Sequence, residues 1–163
     1  MPRQTHSPMV RALGALGIAA ALVAGCASPG GSAEDGGAAT DAATAVDVTV
    51  QEFSVTPSTD SAPAGEVTFS ITNDGPDDIH EFVVIRTDLD PAELPTDENG
   101  AVDEDGEGIE VVDEIEEIPV GETEELTVTL EPGAYALICN RFDEDENEAH
   151  YEMGMHAAFE ATD

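Results

Sequence analysis

Four side chains with metal-binding atoms stand at separated positions of the sequence. His80 opens an apolar stretch, Cys139 ends another, and His150 and Met155 follow Cys139 across an acidic segment. Imidazole binds both oxidation states of copper, and sulfur ligands favour Cu(I). Two His and one Cys with a weak axial Met are the donors of a blue-copper electron-transfer site. The four residues therefore predict a site for one copper ion.

Each of these residues has a simpler interpretation when taken alone. His80 fits a satisfied core histidine, Cys139 a small buried hydrophobe, and Met155 core filler. Met153 is a rival for the axial position. His156 directly follows Met155, so in a strand its side chain points the opposite way, and we interpret it as a surface residue. The metal interpretation depends on the whole ordered set.

Short alternating stretches separated by turn signals dominate the sequence after residue 45. Alternation of apolar and polar residues with a period of two is typical of half-buried strands. It predicts strands over residues 46–50, 66–71, 81–85, 125–130, 134–138 and 155–161. Turn-forming residues at 73–76 and 132–133 separate neighbouring strands. Without a long helical pattern, these strands indicate an all-β sandwich or barrel.

Residues 87–123 interrupt the strand pattern. Much of this stretch is Asp, Glu and Gly, above all at 96–108. We interpret it as a long acidic insertion between core strands, with one helical turn at 91–94 and an edge strand around 109–112.

The insertion also contains a weak match to a calcium-binding loop. Positions 1, 3, 5, 6 and 12 of such a loop would be Asp103, Asp105, Glu107, Gly108 and Glu114. Glu107 is longer than the usual ligand, and no amphipathic helices flank the segment. A solvated acidic loop is the favoured interpretation, and calcium binding stays open.

Three short motifs surround the four candidate ligands. They are Asn73-x-Gly75-x4-His80-Glu81-Phe82, Pro132-Gly133-x-Tyr135-x3-Cys139-Asn140 and His150-Tyr151-x-x-Gly154-Met155. These motifs resemble those of cupredoxins, the small blue copper proteins of the plastocyanin and azurin type, over about residues 46–162. The resemblance implies a cupredoxin-like Greek-key β-sandwich that binds one copper ion. It also implies that the ligands are His80, Cys139, His150 and Met155.

The segment between Cys139 and His150 departs from the family pattern. Many relatives have a shorter loop, often with Pro-Gly before the histidine, whereas this chain has Arg-Phe-Asp-Glu-Asp-Glu-Asn-Glu-Ala at 141–149. Carboxylates near the metal would favour Cu(II) and lower the reduction potential. A floppy loop would let copper exchange, which keeps a copper carrier or scavenger as the alternative function. Tyr151 is expected to pack beside the site.

The first residues have the features of a bacterial export signal. Arg3 and Arg11 give the segment a positive start, and an apolar run follows from residue 12. The run ends in Leu-Val-Ala-Gly at 22–25, directly before Cys26. The tetrad and its cysteine resemble a bacterial lipobox, which implies lipidation of Cys26. We expect a lipid-anchored extracytoplasmic protein on the periplasmic or outer face of the membrane. An ordinary signal peptide with a cysteine nearby is the alternative.

Domain organisation follows from these boundaries. Residues 1–25 are the predicted signal peptide, 26–45 the lipidated cysteine with a flexible tether, and 46–163 the copper-binding domain. The chain has two cysteines, so lipidation of Cys26 leaves Cys139 without a disulfide partner. Metal ligation explains this remaining thiol, because thiolate is the metal-binding form of cysteine.

Acidic residues dominate the charge of the chain. The sequence has 37 Asp and Glu against four Lys and Arg, and a formal net charge of −33. Nucleic acid is excluded as a partner because phosphate binding needs cationic groups, and an anionic membrane surface would repel the domain. The acidity fits a salty habitat, a cationic docking partner, or both.

No enzyme is predicted. A binuclear copper centre would need a second cysteine near Cys139, and multicopper oxidases and copper nitrite reductases need more histidines than this chain offers. Cys139 and His150 could form a hydrolytic pair, but the sequence around them resembles no such family. We predict a one-electron carrier that serves redox partner proteins.

Overall fold

The computed structural model describes residues 43–163, which contain eleven strands. The signal peptide, the lipidation of Cys26 and nearly all of the tether lie outside the described residues. The strands are β1 (Thr44–Gln51), β2 (Ser54–Pro57), β3 (Ser61–Pro63), β4 (Gly65–Asn73), β5 (His80–Arg86), β6 (Glu110–Ile118), β7 (Thr123–Leu130), β8 (Gly133–Ile138), β9 (Phe142–Asp143), β10 (Glu148–Ala149) and β11 (His156–Thr162). Within this part of the chain, no helix is long and apolar enough to cross a membrane.

Two sheets pack face to face. One has the strand order β2-β1-β4-β7, and the other has the order β3-β11-β8-β5-β6. The pairs β1–β4 and β3–β11 are parallel, and the other pairs in these sheets are antiparallel. The all-β sandwich that the alternating sequence predicts is confirmed.

Alternating residues of both sheets form the main core. Phe69 of β4 packs against Phe82 of β5 and Phe159 of β11, with ring centroids 5.6 and 5.4 Å apart. All three rings are buried. Burial of one such side chain contributes about 1.5–3 kcal/mol, so these contacts fix the two sheets against each other and hold the strands that carry the candidate ligands.

The six predicted strands are confirmed as β1, β4, β5, β7, β8 and β11. β1 begins at Thr44, just inside the stretch assigned to the tether. The alternation of apolar and polar residues does not predict the short strands β2, β3, β9 and β10, which have two to four residues each. Strands this short do not extend far enough to show a period of two.

The acidic region after β5 is partly a strand. β6 (Glu110–Ile118) forms one edge of the five-stranded sheet and pairs with β5, which confirms the predicted edge strand. The predicted helical turn at 91–94 is wrong: the N–H of Glu93 donates to the carbonyl of Asp90 at 2.8 Å, which closes a β-turn. That residues 87–123 contain an insertion relative to other proteins stays a prediction.

A second apolar cluster covers the outer face of the five-stranded sheet. It contains Val83, Ile85, Leu94, Val102, Ala136, Ile138 and Tyr151. The Tyr151 hydroxyl accepts the N–H of Leu94 at 2.8 Å and donates to the carbonyl of Pro91 at 2.9 Å. Tyr151 therefore fastens the acidic connection to the sheet, instead of packing in the main core that contains Cys139 and Met155.

Candidate metal centre

Three of the predicted ligands meet at one end of the sandwich. His80 begins β5, Cys139 directly follows β8, and His150 directly follows β10. The two Nδ1 atoms are 3.1 Å apart, and the Cys139 sulfur is 3.8 Å from Nδ1 of His80 and 3.5 Å from Nδ1 of His150. Metal bonds to imidazole and thiolate are roughly 2.0–2.3 Å long, so donors that share an ion lie roughly 3–4 Å apart. The three atoms have the spacing of a shared ion.

Met155 lies directly before β11 and belongs to the same buried apolar cluster as Cys139. Its N–H donates to the carbonyl of His150 at 3.1 Å, and its carbonyl accepts the N–H of Cys139 at 3.0 Å. These main-chain bonds hold it beside two of the three donors, although its role as the axial ligand stays a prediction. Met153 is 47% exposed, which disfavours it as the rival. The ring of His156 packs against Tyr151, with centroids 5.5 Å apart.

A buried asparagine shapes the turn before His80. The Asn73 side-chain amide donates to the carbonyls of Asp78 and Ile118, both at 2.8 Å, and its Oδ1 accepts the N–H of Gly75 at 2.8 Å. Gly75 has a φ of +60°, which glycine adopts without the steric cost of a side chain. The Asn73 side chain therefore holds both ends of the turn in place, and the turn positions His80 at the start of β5.

The Cys139 sulfur accepts a main-chain hydrogen bond from the N–H of Glu81 at 3.3 Å. Burial raises the pKa of the Cys139 thiol to about 12, and this effect outweighs the main-chain N–H groups of Glu81 and Arg141, which lower it. Without a cation beside it, the sulfur is therefore a neutral thiol at pH 7, while the N–H of Glu81 already stands where a thiolate needs a donor.

Both candidate histidines are neutral at pH 7. Burial, followed by the charge of His150, lowers the pKa of His80 to about 4. Burial also lowers the pKa of His150. Neutral imidazole is the form that binds metals, so folding keeps both rings ready for coordination.

This donor set fits copper. It offers two neutral imidazole nitrogens and one sulfur with no carboxylate among them, and all three residues are buried. Soft sulfur with imidazole selects copper over the hard cations that prefer oxygen. The adjacent thioether of Met155 is also a ligand type that copper accepts readily.

Two residues that the sequence analysis did not single out lie beside the histidines. Phe53 packs its ring edge-on against His150, with centroids 5.3 Å apart, and is itself only partly buried. Glu52 places its Oε2 atom 4.0 Å from Nε2 of His80. Both residues lie in the turn after β1, where the sequence offers no motif to distinguish Glu52 from the other acidic residues.

The acidic segment between Cys139 and His150 is a paired hairpin. β9 (Phe142–Asp143) pairs with β10 (Glu148–Ala149), and the N–H of His150 donates to the carbonyl of Arg141 at 2.9 Å. The side chains at 144–147 are exposed. A flexible loop here would favour metal exchange. These contacts hold the segment as a hairpin and therefore disfavour that hypothesis.

The proposed calcium loop does not assemble. Glu114 lies within β6, where it pairs with Val83, and it approaches Glu81 and Glu104 instead of the other residues of the loop. Over residues 43–163, the groups spaced for a metal are this carboxylate group and the His80, Cys139 and His150 group. The interpretation of residues 103–108 as a solvated acidic segment is favoured, because most of them are exposed.

Solved structures share this fold. An auracyanin from the photosynthetic bacterium Roseiflexus castenholzii is 19% identical, covers 75% of this chain and 99% of its own, and has a TM-score of 0.52. Auracyanin B is 21% identical, covers 74% of this chain and 90% of its own, and has a TM-score of 0.50. No protein-family model and no curated protein sequence matches the chain.

Proposed function

The domain has the cupredoxin fold, and we propose that it is a type 1 copper protein that carries single electrons. The observation that carries this proposal is the convergence of Nδ1 of His80, Nδ1 of His150 and the Cys139 sulfur within 3.8 Å of one another. We assign the axial position to Met155. A bound copper ion would supply the Cu(II)/Cu(I) couple.

The protein's part is to hold the donors still. His80 is fixed by β5 and the turn before it. Cys139 is fixed by the N–H of Glu81 at its sulfur and by its own N–H bond to Met155, and His150 by its bond to Arg141. Donors that keep their places in both oxidation states need little reorganisation when an electron arrives or leaves. The partly buried Phe53 ring packs against His150 and so links this candidate ligand to the surface.

The solved relatives support redox chemistry. The Roseiflexus castenholzii auracyanin is described in a form reduced by sodium dithionite, which means that its centre accepts electrons. A carrier of this kind requires redox partner proteins and no substrate turnover, so we propose that the chain is not an enzyme. Its excess of acidic residues favours a partner with a cationic docking face.

We also propose that the protein works outside the cytoplasm, tethered through a lipid on Cys26. The support is the lipobox-like sequence at 22–26 and the absence of a cysteine partner for Cys139 within residues 43–163. Incorporation of radiolabelled palmitate into the wild-type chain, and its loss in Cys26→Ser, would test the anchor. Equal labelling of the two chains would contradict it.

Copper spectroscopy tests the central proposal. The chain without its export signal and with Cys26→Ser should turn intensely blue on addition of one equivalent of Cu(II), because the Cys139 thiolate gives a sulfur-to-copper charge-transfer band. Dithionite should bleach the colour and an oxidant should restore it. Cys139→Ser is the control and should stay nearly colourless. A colourless adduct of the intact site would reject the type 1 assignment.

The same preparation distinguishes the alternative, a copper carrier or scavenger. Burial of all three donors supports slow release, because the ion cannot leave without local opening of the fold. We therefore expect a mild chelator to remove copper slowly, and we expect rapid electron self-exchange. Rapid loss of copper combined with slow self-exchange would favour the scavenger.

A further inference from the structure

Two buried polar atoms face each other behind one of the candidate ligands. The Oε2 atom of Glu52 and the Nε2 atom of His80 are both buried, and neither has a hydrogen-bond partner in the described part of the chain. They lie 4.0 Å apart, and the Glu52 side chain is only 12% exposed. Leaving buried polar groups unpaired is costly, so this arrangement requires an explanation.

The other carboxylate oxygen of Glu52 holds the backbone. Its Oε1 atom accepts the N–H of Asp77 at 2.9 Å and the N–H of Asp78. These residues belong to the turn that delivers His80 to β5. The carboxylate is therefore anchored by one oxygen, which leaves the second directed at the back of the imidazole.

A metal-bound histidine usually donates its remaining ring N–H to a carboxylate or a carbonyl. Nδ1 of His80 faces Cys139 and His150, so coordination there places the proton on Nε2, the atom that faces Glu52. The present separation is longer than a hydrogen bond. A sub-ångström approach of the two side chains would close it, and would satisfy both unpartnered atoms.

We propose that Glu52 is a positioning residue for His80: its carboxylate keeps the ring proton on Nε2, directs the Nδ1 lone pair toward the ion, and sets a negative charge behind this ligand. The inference rests on the proposed copper function for its redox consequence, because a charge at this place stabilises Cu(II) relative to Cu(I). It does not rest on copper for the tautomer, which exists in the metal-free protein.

The metal-free protein offers a direct readout. The two Nδ1 atoms are 3.1 Å apart, which is a hydrogen-bond distance, and the tautomers of the two rings decide which atom donates. If Glu52 keeps the proton of His80 on Nε2, then Nδ1 of His80 is the acceptor and Nδ1 of His150 is the donor. Nitrogen-15 NMR of the imidazoles distinguishes this arrangement from its reverse.

Glu52→Gln is the test variant, because its amide oxygen can still accept the N–H groups of the turn while the charge is lost. Glu66→Gln, at an exposed position of β4, is the control for the same change in charge. We expect the wild-type protein and Glu66→Gln to hold His80 as the Nε2–H tautomer, and Glu52→Gln to lose that preference. In the copper-loaded forms, Glu52→Gln should raise the reduction potential several-fold more than Glu66→Gln does.

An unchanged His80 tautomer in Glu52→Gln would overturn the proposal, and so would a shift of potential no larger than the control's. Failure of every variant and of the wild type to form a blue centre would reject the copper function alone, because the metal-free NMR readout still decides the role of Glu52. Should Glu52→Gln not fold, Glu52→Asp is the second variant. Its shorter side chain should weaken the tautomer preference, and a wild-type preference there would overturn the proposal.

Discussion

Cys139 donates its backbone N–H to the carbonyl of Met155 at 3.0 Å, so the two sulfur-bearing residues of the site are joined through the main chain. The bond continues the antiparallel pairing of β8 with β11, in which Ile138 lies opposite His156. Because the main chain sets this proximity, a change of the side chain at 155 leaves the position of Cys139 intact. Substitutions at 155 therefore report on the thioether itself.

Met155→Leu should raise the reduction potential and keep the blue colour. The leucine fills a similar volume, at a cost of less than about 1.5 kcal/mol in stability. It leaves the ion one donor fewer, and Cu(I) tolerates a low coordination number better than Cu(II) does. Potentiometric titration measures the shift. Met153→Leu, at an exposed site, is the control and should leave the potential unchanged. Equal potentials for Met155→Leu and the wild type would remove Met155 from the ligand set.

Binding of Cu(II) at pH 7 should release one proton. The pKa of the Cys139 thiol is about 12 in the metal-free protein, and the lowered pKa values of His80 and His150 leave no proton to displace from a charged ring. The apparent affinity should therefore rise about tenfold per pH unit above neutrality. Calorimetry in buffers of different ionisation enthalpy counts the protons. Release of none would mean that the sulfur does not bind as thiolate.

Glu81→Gln should stabilise the metal-free protein at pH 8 and leave it nearly unchanged at pH 4. Burial, and then the charges of Glu114 and Glu104, raise the pKa of Glu81 from 4.5 to about 7. A carboxyl with a raised folded-state pKa contributes stability below its unfolded pKa and loses it as pH rises from about 4.5 to about 7. The gain at pH 8 should be on the order of 1–3 kcal/mol.

Urea unfolding at the two pH values measures this gain. Glu125→Gln, at an exposed position of β7, makes the same change in charge and should show a much smaller difference between pH 4 and pH 8. Protonation of His80 and His150 at low pH destabilises the wild type, Glu81→Gln and Glu125→Gln alike, so this effect cancels when the three proteins are compared. A gain for Glu81→Gln that is equal at both pH values would contradict the assigned burial effect.

Neutralising the hairpin acids Asp143, Glu144, Asp145 and Glu146 as Asn and Gln should raise the reduction potential modestly. The Oδ1 atom of Asp143 accepts the N–H groups of Asp145 and Glu146, and asparagine keeps an acceptor there. Exposed charges are screened over about 10 Å at 0.1 M salt. The rise should therefore shrink as salt increases. A potential that does not change at low salt would reject any electrostatic role for this hairpin.

Asn140→Ala should loosen the acidic connection beside the site. The Asn140 side chain accepts the N–H of Val102 at 2.6 Å and donates to its carbonyl at 3.1 Å, and it also donates to Glu104 at 2.9 Å. Unpairing these groups should cost about 1–3 kcal/mol. Amide exchange at Val102 should accelerate, whereas Asn99→Ala, at an exposed turn, should leave it unchanged. Unaltered exchange in Asn140→Ala would show that the connection is held by other contacts.

The strands whose side chains alternate between core and solvent can be predicted from the sequence. β4 illustrates this, because Val67, Phe69 and Ile71 are buried and the residues between them are not. The sequence also points to His80, Cys139 and His150 as one group, because few donor types suit one soft metal and the chain has few of each. Their donor atoms lie close together in the structure. The short strand β3 could not be predicted in this way, because it pairs with β11, about a hundred residues later in the sequence, and β2 has only four residues in which to show an alternation.

Glu52 shows why the surroundings of a site are harder to predict than its donors. It is one of 37 acidic residues in the sequence, and the fold buries it behind His80. Tyr151 is a similar case. The sequence predicts that Tyr151 packs beside the site, but it does not predict that the Tyr151 hydroxyl binds the backbone at Pro91 and Leu94. Such contacts are created by tertiary packing and leave no local pattern.

The position of β11 has a consequence for when the protein can acquire its ion. β11 follows the other ten described strands in chain order, yet it lies inside its sheet between β3 and β8, and Met155 directly precedes it. A nascent chain that lacks β11 cannot place Met155 against Cys139, and it cannot shield the imidazoles from water. A site with Met155 held against Cys139 therefore forms only after β11 has joined its sheet.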